Sequence, residues 1–204
     1  HGRMDFVRLD NLLPGMYMPK AVGTRLFAKK APQFEKFDLS KFHINTRNSC
    51  ANVRLPARLT VDFAQLLGLL VAEGYTPKGS DAVNFTNHDQ AVLNFYSNVL
   101  QREFGIKQPC QQDTHGKNVG IRLHNAYVGA FFSSVLSRGL SAEKQVPLCV
   151  RAAPEEHQCA FLRGLFEGDG TIGNGVRSRI SYCSASKQLA YQVKAMLENI
   201  GIYC

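Results

Sequence analysis

The sequence predicts an α+β fold built from two copies of one unit, related by a pseudo-twofold axis. A nonapeptide occurs twice, as LLGLLVAEG over Leu66–Gly74 and as LRGLFEGDG over Leu162–Gly170, 96 residues apart. Apolar positions beyond it recur at the same offset: Leu93 with Leu189, Leu100 with Met196, and Phe104-Gly105-Ile106 with Ile200-Gly201-Ile202. Between residues 66 and 106 this register needs no insertion or deletion, so duplication explains it better than chance. Each unit also reads in the same order, as helix, strand region, helix.

The elements follow from periodicity and punctuation. Val61 to Ala72 places apolar residues at helical spacing, with Asp62 as the expected N-terminal cap. Gly74 is placed to stop that helix, and Pro77 and Gly79 to keep the next segment irregular. Ala82 to Thr86 is expected as a strand, and Asp89 to open a helix that runs to Phe104 and ends at Gly105. Lys117 to His124 alternates Val119, Ile121 and Leu123, the pattern of a half-buried strand. Ala126 to Leu136 reads as a helix closed by Arg138-Gly139. In the second unit the corresponding expectations are a helix from Glu155 to Glu167, a strand from Arg177 to Cys183 and a helix from Lys187 to Ile200. About 38 residues follow Ile106 before Lys144, whereas nothing comparable follows Ile202. The second unit is therefore expected to be incomplete.

The repeated peptide carries chemistry as well as symmetry. Small residues four apart (Gly68 and Ala72, then Gly164 and Gly168) put a flat stripe on each helix, so two such helices can approach closely. Run side by side and parallel, they bring Glu73 and Asp169 to the same end. A carboxylate at a helix C-terminus faces the negative end of the helix dipole, at a cost of about 0.3–1 kcal/mol. Two converging acids add mutual repulsion. A divalent cation offsets both effects, and Mg²⁺ is commonly held by one or two carboxylates together with substrate phosphates.

Charge points the same way. The chain has 204 residues and a net charge of +8. Residues 1–58 hold eleven Lys or Arg against four Asp or Glu, while the remainder is almost balanced. A basic extension on a near-neutral body suits a polyanion, because Lys and Arg displace the counterions condensed on phosphates. Within it, Phe27, Phe34, Phe37 and Phe42 interleave with Lys29, Lys30, Lys36, Lys41, Arg47, Arg54 and Arg58, and the turn-rich Arg8–Lys20 stretch suggests β structure. The three segments expected are thus 1–58, 59–150 and 151–204. No apolar run approaches the roughly 18 residues that span a bilayer. The six cysteines form no Cys-x-x-Cys pair, so incidental thiols of a reduced, intracellular protein are expected. Gly168-Asp169-Gly170-Thr171-Ile172-Gly173 satisfies G-x-G-x-x-G but follows a helix and precedes a strand, the reverse of a dinucleotide site. The histidines lack paired zinc-ligand spacing.

On LLGLLVAEG and LRGLFEGDG, residues 59–204 resemble the LAGLIDADG homing endonucleases, which share that hydrophobic pattern, central glycine and terminal acid-glycine. The resemblance implies a saddle-shaped αββαββα duplication whose antiparallel strands straddle DNA. It implies that Glu73 and Asp169 bind Mg²⁺ (or Mn²⁺). Glu73 stands where Asp is commoner. Lys144-Gln145-Val146-Pro147 is similar to the Lys-x-Ile-Pro segment that precedes the second motif in many relatives, which makes Lys144 an electrostatic helper. The implied activity is hydrolysis of both strands of duplex DNA at a long asymmetric site, by a monomer with internal pseudo-symmetry. Lys78, just beyond the first motif, is a DNA-binding candidate of the same kind as Lys144, and groove-facing residues would read bases by the usual Arg, Gln and Asn pairings: Asn84, Asn87, His88, Arg122, Arg177 and Arg179. Residues 1–20 are loosely similar to an intein region, which suggests an intein-borne nuclease. The alternatives are a non-catalytic DNA- or RNA-binding relative (a transcription regulator or maturase) and a decayed, inactive intein insert.

Overall fold

Thirteen residues from Val61 wind into the first helix, which is buried nearly all round (Phe63, Ala64 and Leu66 to Val71), as a central core helix is, and Thr60 caps the start. The Thr60 hydroxyl accepts the Phe63 amide at 3.1 Å. The cap is therefore Thr60 and not Asp62, which lies in the first turn and pairs with Arg102 at 2.6 Å. An aspartate inside the turn has its own helical backbone dihedrals, and the cap must sit one step outside them. Thr60→Ala is expected to lower stability by about 1 kcal/mol, a shift to be measured as a lower denaturant midpoint at unchanged slope.

The computed structural model describes residues 7–16, 20–34, 53–76, 82–107, 111–112, 119–136, 140–173 and 179–204. The first unit runs α1 (Val61–Glu73), β1 (Gly74–Tyr75), β2 (Ala82–Asn87), α2 (Gln90–Phe104), β3 (Gln111–Gln112), β4 (Val119–His124) and α3 (Ala126–Val135). A short linking helix, α4 (Leu148–Arg151), leads to the second unit: α5 (Glu155–Asp169), β5 (Gly170–Gly173), β6 (Arg179–Tyr182) and α6 (Lys187–Ile200). The first unit thus has the order αββαββα, and the second repeats its first four elements. The first sheet is antiparallel with strand order β1-β2-β4-β3, and the second is the β5-β6 hairpin.

Strands β1 and β5 start directly at the glycines that end α1 and α5, where irregular chain was expected. Gly74 and Gly170 are extended, with φ of −81° and −79°. Their need for glycine is steric. A Cβ on Gly74 would lie 2.3 Å from the Leu70 carbonyl oxygen, and one on Gly170 would lie 2.3 Å from that of Phe166. Gly105 and Gly201 instead close α2 and α6 in the left-handed conformation, φ 73° and 102°, as glycine does at helix ends.

The pseudo-twofold axis runs between α1 and α5. A Cβ on Gly68 would lie 2.1 Å from the Phe161 carbonyl oxygen, and one on Gly164 would lie 2.1 Å from that of Gln65. Further along, a Cβ on Gly168 would lie 2.6 Å from the Ala72 side chain. Residue numbers rise together on the two helices, so they are parallel, and positions 96 apart face each other. The uninterrupted register does not hold throughout. Gly74 pairs with Phe85 but Gly170 with Tyr182, so the second hairpin carries one extra residue, and α6 begins one residue later than α2 to recover it.

The core of the first unit is a cluster of rings. Phe63 lies within 6.1 Å of Phe34, Phe104, Phe131 and Phe132, centroid to centroid. Phe131 and Phe132 come from α3, which covers this side of α1 and α2. The same side of the second unit is an open groove lined by Leu162, Phe166, Ile180, Val193 and Leu197.

The described part of the basic extension is packed as a strap. The Gly23 and Arg25 amides donate to the carbonyls of Glu198 and Asn199, Arg25 pairs with Glu155, and Phe34 enters the ring cluster. Its β structure is an isolated bridge, Gln33 with Arg58, preceded by a 3-10 turn at Leu9–Asn11. These contacts lie at the N-terminal ends of α1 and α5. The acids are at the other ends, about 20 Å away for helices of this length. Over residues 20–34 the basic extension packs on the body of the protein, on the side away from the two acids.

Candidate active site and family

Glu73 and Asp169 are the last residues of α1 and α5 and emerge side by side because the helices are parallel and nearly in contact. A Cβ on Gly168 would meet the Glu73 side chain at 3.0 Å, so the glycine before Asp169 provides the room that Glu73 occupies. Burial raises the pKa of Glu73; the hydrogen bond from Asn87 opposes this, and the negative charge of Asp169 adds to it. Burial also raises that of Asp169, with Lys144 opposing. Both carboxyls are thus harder to ionise than free ones, chiefly because they are partly withdrawn from water.

Lys144 is fixed between the two units. Its Nζ donates to the carbonyls of Val71 and Ala72 at 2.7 and 3.1 Å, satisfying the open C-terminal end of α1. Its own carbonyl accepts the Ser186 hydroxyl at 2.7 Å, at the start of α6. Partial burial lowers its pKa and the charge of Asp169 raises it. The ammonium stands beside Asp169 without closing a direct ion pair, which leaves it charge to offer elsewhere.

The strand residues divide by side-chain parity. Val83 and Phe85 point into the core, so Asn84 and Thr86 face outward. Arg122, between the buried Ile121 and Leu123, faces the same way, and the register sets it directly opposite Asn84, which in turn pairs with Tyr75. On the second sheet Arg179 is exposed opposite Gly173. His88 is exposed just beyond β2, close enough for its charge to act on Glu73. Lys78 and Arg177 lie outside the described residues.

Asn87 is corrected from a groove contact to a partner of Glu73. It shares the parity of Phe85, is 6 % exposed, and donates through Nδ2 to Glu73 Oε2 at 2.5 Å. Its Oδ1 accepts the Asp89 amide at 2.7 Å, tying the carboxylate to the cap of α2. Sequence reasoning also missed Tyr75, Thr171 and Ser181 as outward-facing strand residues; the pairing register reveals them, and nothing in local composition did. Among the described residues no group of three or more His, Cys, Asp or Glu side chains could by itself enclose a metal ion. Two carboxylates offer oxygen ligands, the kind that a hard divalent cation takes together with water and phosphate oxygens.

This geometry has relatives. The description LAGLIDADG-like domain matches residues 60–132 and 156–203. A DNA polymerase of Thermococcus sp. (strain GE8) is 34 % identical over 149 residues, 69 % of this chain and 8 % of the polymerase. The ATP-dependent DNA helicase Hel308 of Thermococcus kodakarensis is 27 % identical over 154 residues, 72 % of the chain and 14 % of the helicase. The chain thus spans only about a tenth of the length of these relatives. Among solved structures, that of I-DmoI in complex with DNA and Mn superposes with a TM-score of 0.50 at 19 % identity, covering 70 % of this chain and 78 % of I-DmoI. With two acid-ended helices packed in parallel at the centre of a duplicated αββα arrangement, the chain belongs to the LAGLIDADG family and has its homing-endonuclease fold.

Proposed function

We propose that the chain is the endonuclease region of an intein and hydrolyses both strands of a specific duplex DNA with a divalent metal, Mg²⁺ or Mn²⁺. The observation that carries this reading is the meeting of Glu73 and Asp169 at one end of α1 and α5, next to the half-buried Lys144. Repelling acids at two helix C-termini oppose folding, so their retention is explained by what they hold. I-DmoI, of the same fold, was solved with DNA and Mn. The same segment recurs within a polymerase and a helicase as a small fraction of each, which is the distribution of an inserted element.

In this reading Glu73 and Asp169 are the metal ligands and Asn87 holds the Glu73 carboxylate in place. A bound divalent ion supplies an activated water and charge stabilisation for the leaving oxygen. Lys144 orients water or offsets phosphate charge beside Asp169. Asn84 and Arg122, together with Arg179, face the major groove, where Asn suits adenine and Arg suits guanine. Lys78, His88 and Arg177 are assigned to the backbone or groove edge. The segments 59–150 and 151–204 act as first and second repeat, and within the extension 1–58 residues 20–34 strap the body. The nuclease works inside the cell as a monomer, each repeat facing one half of a long asymmetric site.

The test is incubation with duplex DNA carrying the host gene's uninterrupted insertion site, with Mg²⁺, with Mn²⁺ and with chelator. Metal-dependent double-strand breaks at one position support the proposal. Specific binding without any break would leave a DNA-binding relative and remove the nuclease. Lys144→Met is expected to lower the cleavage rate by about 100-fold, the scale of losing one preorganised charge at a transition state, with DNA affinity little changed in a gel-shift titration.

A further inference from the structure

The two acids are not held alike. In the first repeat Asn87 donates to Glu73 while accepting the Asp89 amide. In the second repeat the equivalent place is taken by Ser184, whose Oγ accepts the Ser186 amide at 3.1 Å. The equivalence is exact in register: Asn87 is two residues beyond Phe85, which pairs with Gly74, and Ser184 is two beyond Tyr182, which pairs with Gly170. Serine is one bond shorter than asparagine, and among the described residues no side chain donates a hydrogen bond to Asp169.

The residue that can make up the difference is Tyr182. It occupies the place of Phe85, whose ring in the first repeat stacks on Tyr96 at 4.2 Å and needs no polar group. The Tyr182 ring packs instead against Phe166 at 5.4 Å, one turn before Asp169 on the same helix. Its hydroxyl oxygen is buried and has no hydrogen-bond partner. The Ser184 hydroxyl and the charge of Asp169 both act on it. A buried hydroxyl left unpaired costs about 1–3 kcal/mol, so a phenol here in place of phenylalanine calls for a partner.

We propose that Tyr182 is the positioning residue of Asp169, its hydroxyl donating to that carboxylate as Asn87 Nδ2 donates to Glu73. The proposal rests on the metal-dependent reading of the two acids. It implies that the two half-sites are tuned separately: an amide orients the longer acid and a phenol the shorter one. A carboxylate held in orientation binds a cation more tightly, and outer partners of metal ligands are typically worth 10- to 100-fold in affinity or activity.

The test is Tyr182→Phe, which keeps the ring and copies the first repeat. Mn²⁺ binding is measured by calorimetry on the protein–DNA complex, and cleavage is followed strand by strand on a supercoiled plasmid. The expected result is at least tenfold weaker Mn²⁺ binding and accumulation of nicked circles, with DNA affinity unchanged. In an Asp169→Asn background the same change should have no further effect on Mn²⁺ binding. Unchanged Mn²⁺ affinity and unchanged rates on both strands would overturn the role of Tyr182 while leaving the nuclease intact. A wild-type protein that neither cuts nor binds Mn²⁺ would instead remove the nuclease reading and this proposal with it.

Discussion

Gly164→Ala is expected to destabilise the protein by about 3 kcal/mol or more, at the upper end of the range for overpacked cores. The added Cβ would lie 2.1 Å from the Gln65 carbonyl oxygen and 3.0 Å from the Leu69 nitrogen. These are backbone atoms in the middle of a helix and cannot rotate away, so α1 and α5 must separate. Separation uncovers Leu66, Leu69, Leu162 and Leu165, all buried at the helix pair, and moves Glu73 away from Asp169. Gly68→Ala meets Phe161 and Leu165 in the same way. Equilibrium denaturation would measure the loss. Alanine tolerated at both positions would show that the helices are not in backbone contact.

Asp169→Asn and Glu73→Gln should each reduce cleavage by about 1,000-fold, the scale at which removal of one transition-state contact is felt, while specific DNA binding persists. The same variants should melt at higher temperature than wild type in chelator. The sign follows from linkage. Both acids have raised pKa values in the folded protein, from ordinary values of 4.5 and 3.8. The folded state therefore holds protons more strongly than the unfolded state, and stability falls as pH rises through the window above those values. At neutral pH each ionised acid opposes folding, and its neutral amide does not. Metal affinity runs the other way, falling as pH drops into that window because protons compete for the carboxylates. Calorimetric melting with chelator, set beside plasmid cleavage with Mn²⁺, would measure both. Unchanged cleavage in both variants would remove the site.

The repeated nonapeptide, its offset and its terminal acids were legible because they are local. Helical spacing placed α2 within one residue and α6 at its observed ends, and Asp89 and Gly105 sit at the two ends of α2 as expected. The resemblance to LAGLIDADG proteins supplied the αββαββα order, which the first unit shows. Strands β1 and β3, two residues each, were not legible. Segments so short carry no alternation, and only pairing with β2 and β4 makes them strands. The cap at Thr60 was missed for a related reason, since Thr60 and Asp62 offer similar oxygens and only backbone dihedrals decide between them.

The sequence by itself determined that two acids end two matching helices and that the chain is a duplication, because spacing along the chain is enough to state both. Only the tertiary structure decided how those acids are held. Asn87 and Phe85 share a strand face that turns inward, and Asn87 reaches Glu73 across 14 residues. Lys144 caps α1 from 72 and 73 residues away. One extra residue in the second hairpin brings Tyr182 and Ser184 to the places of Phe85 and Asn87. Hydrogen bonds depend on which face a strand presents and on how far apart two backbones pack, and neither is written at any single position of the chain.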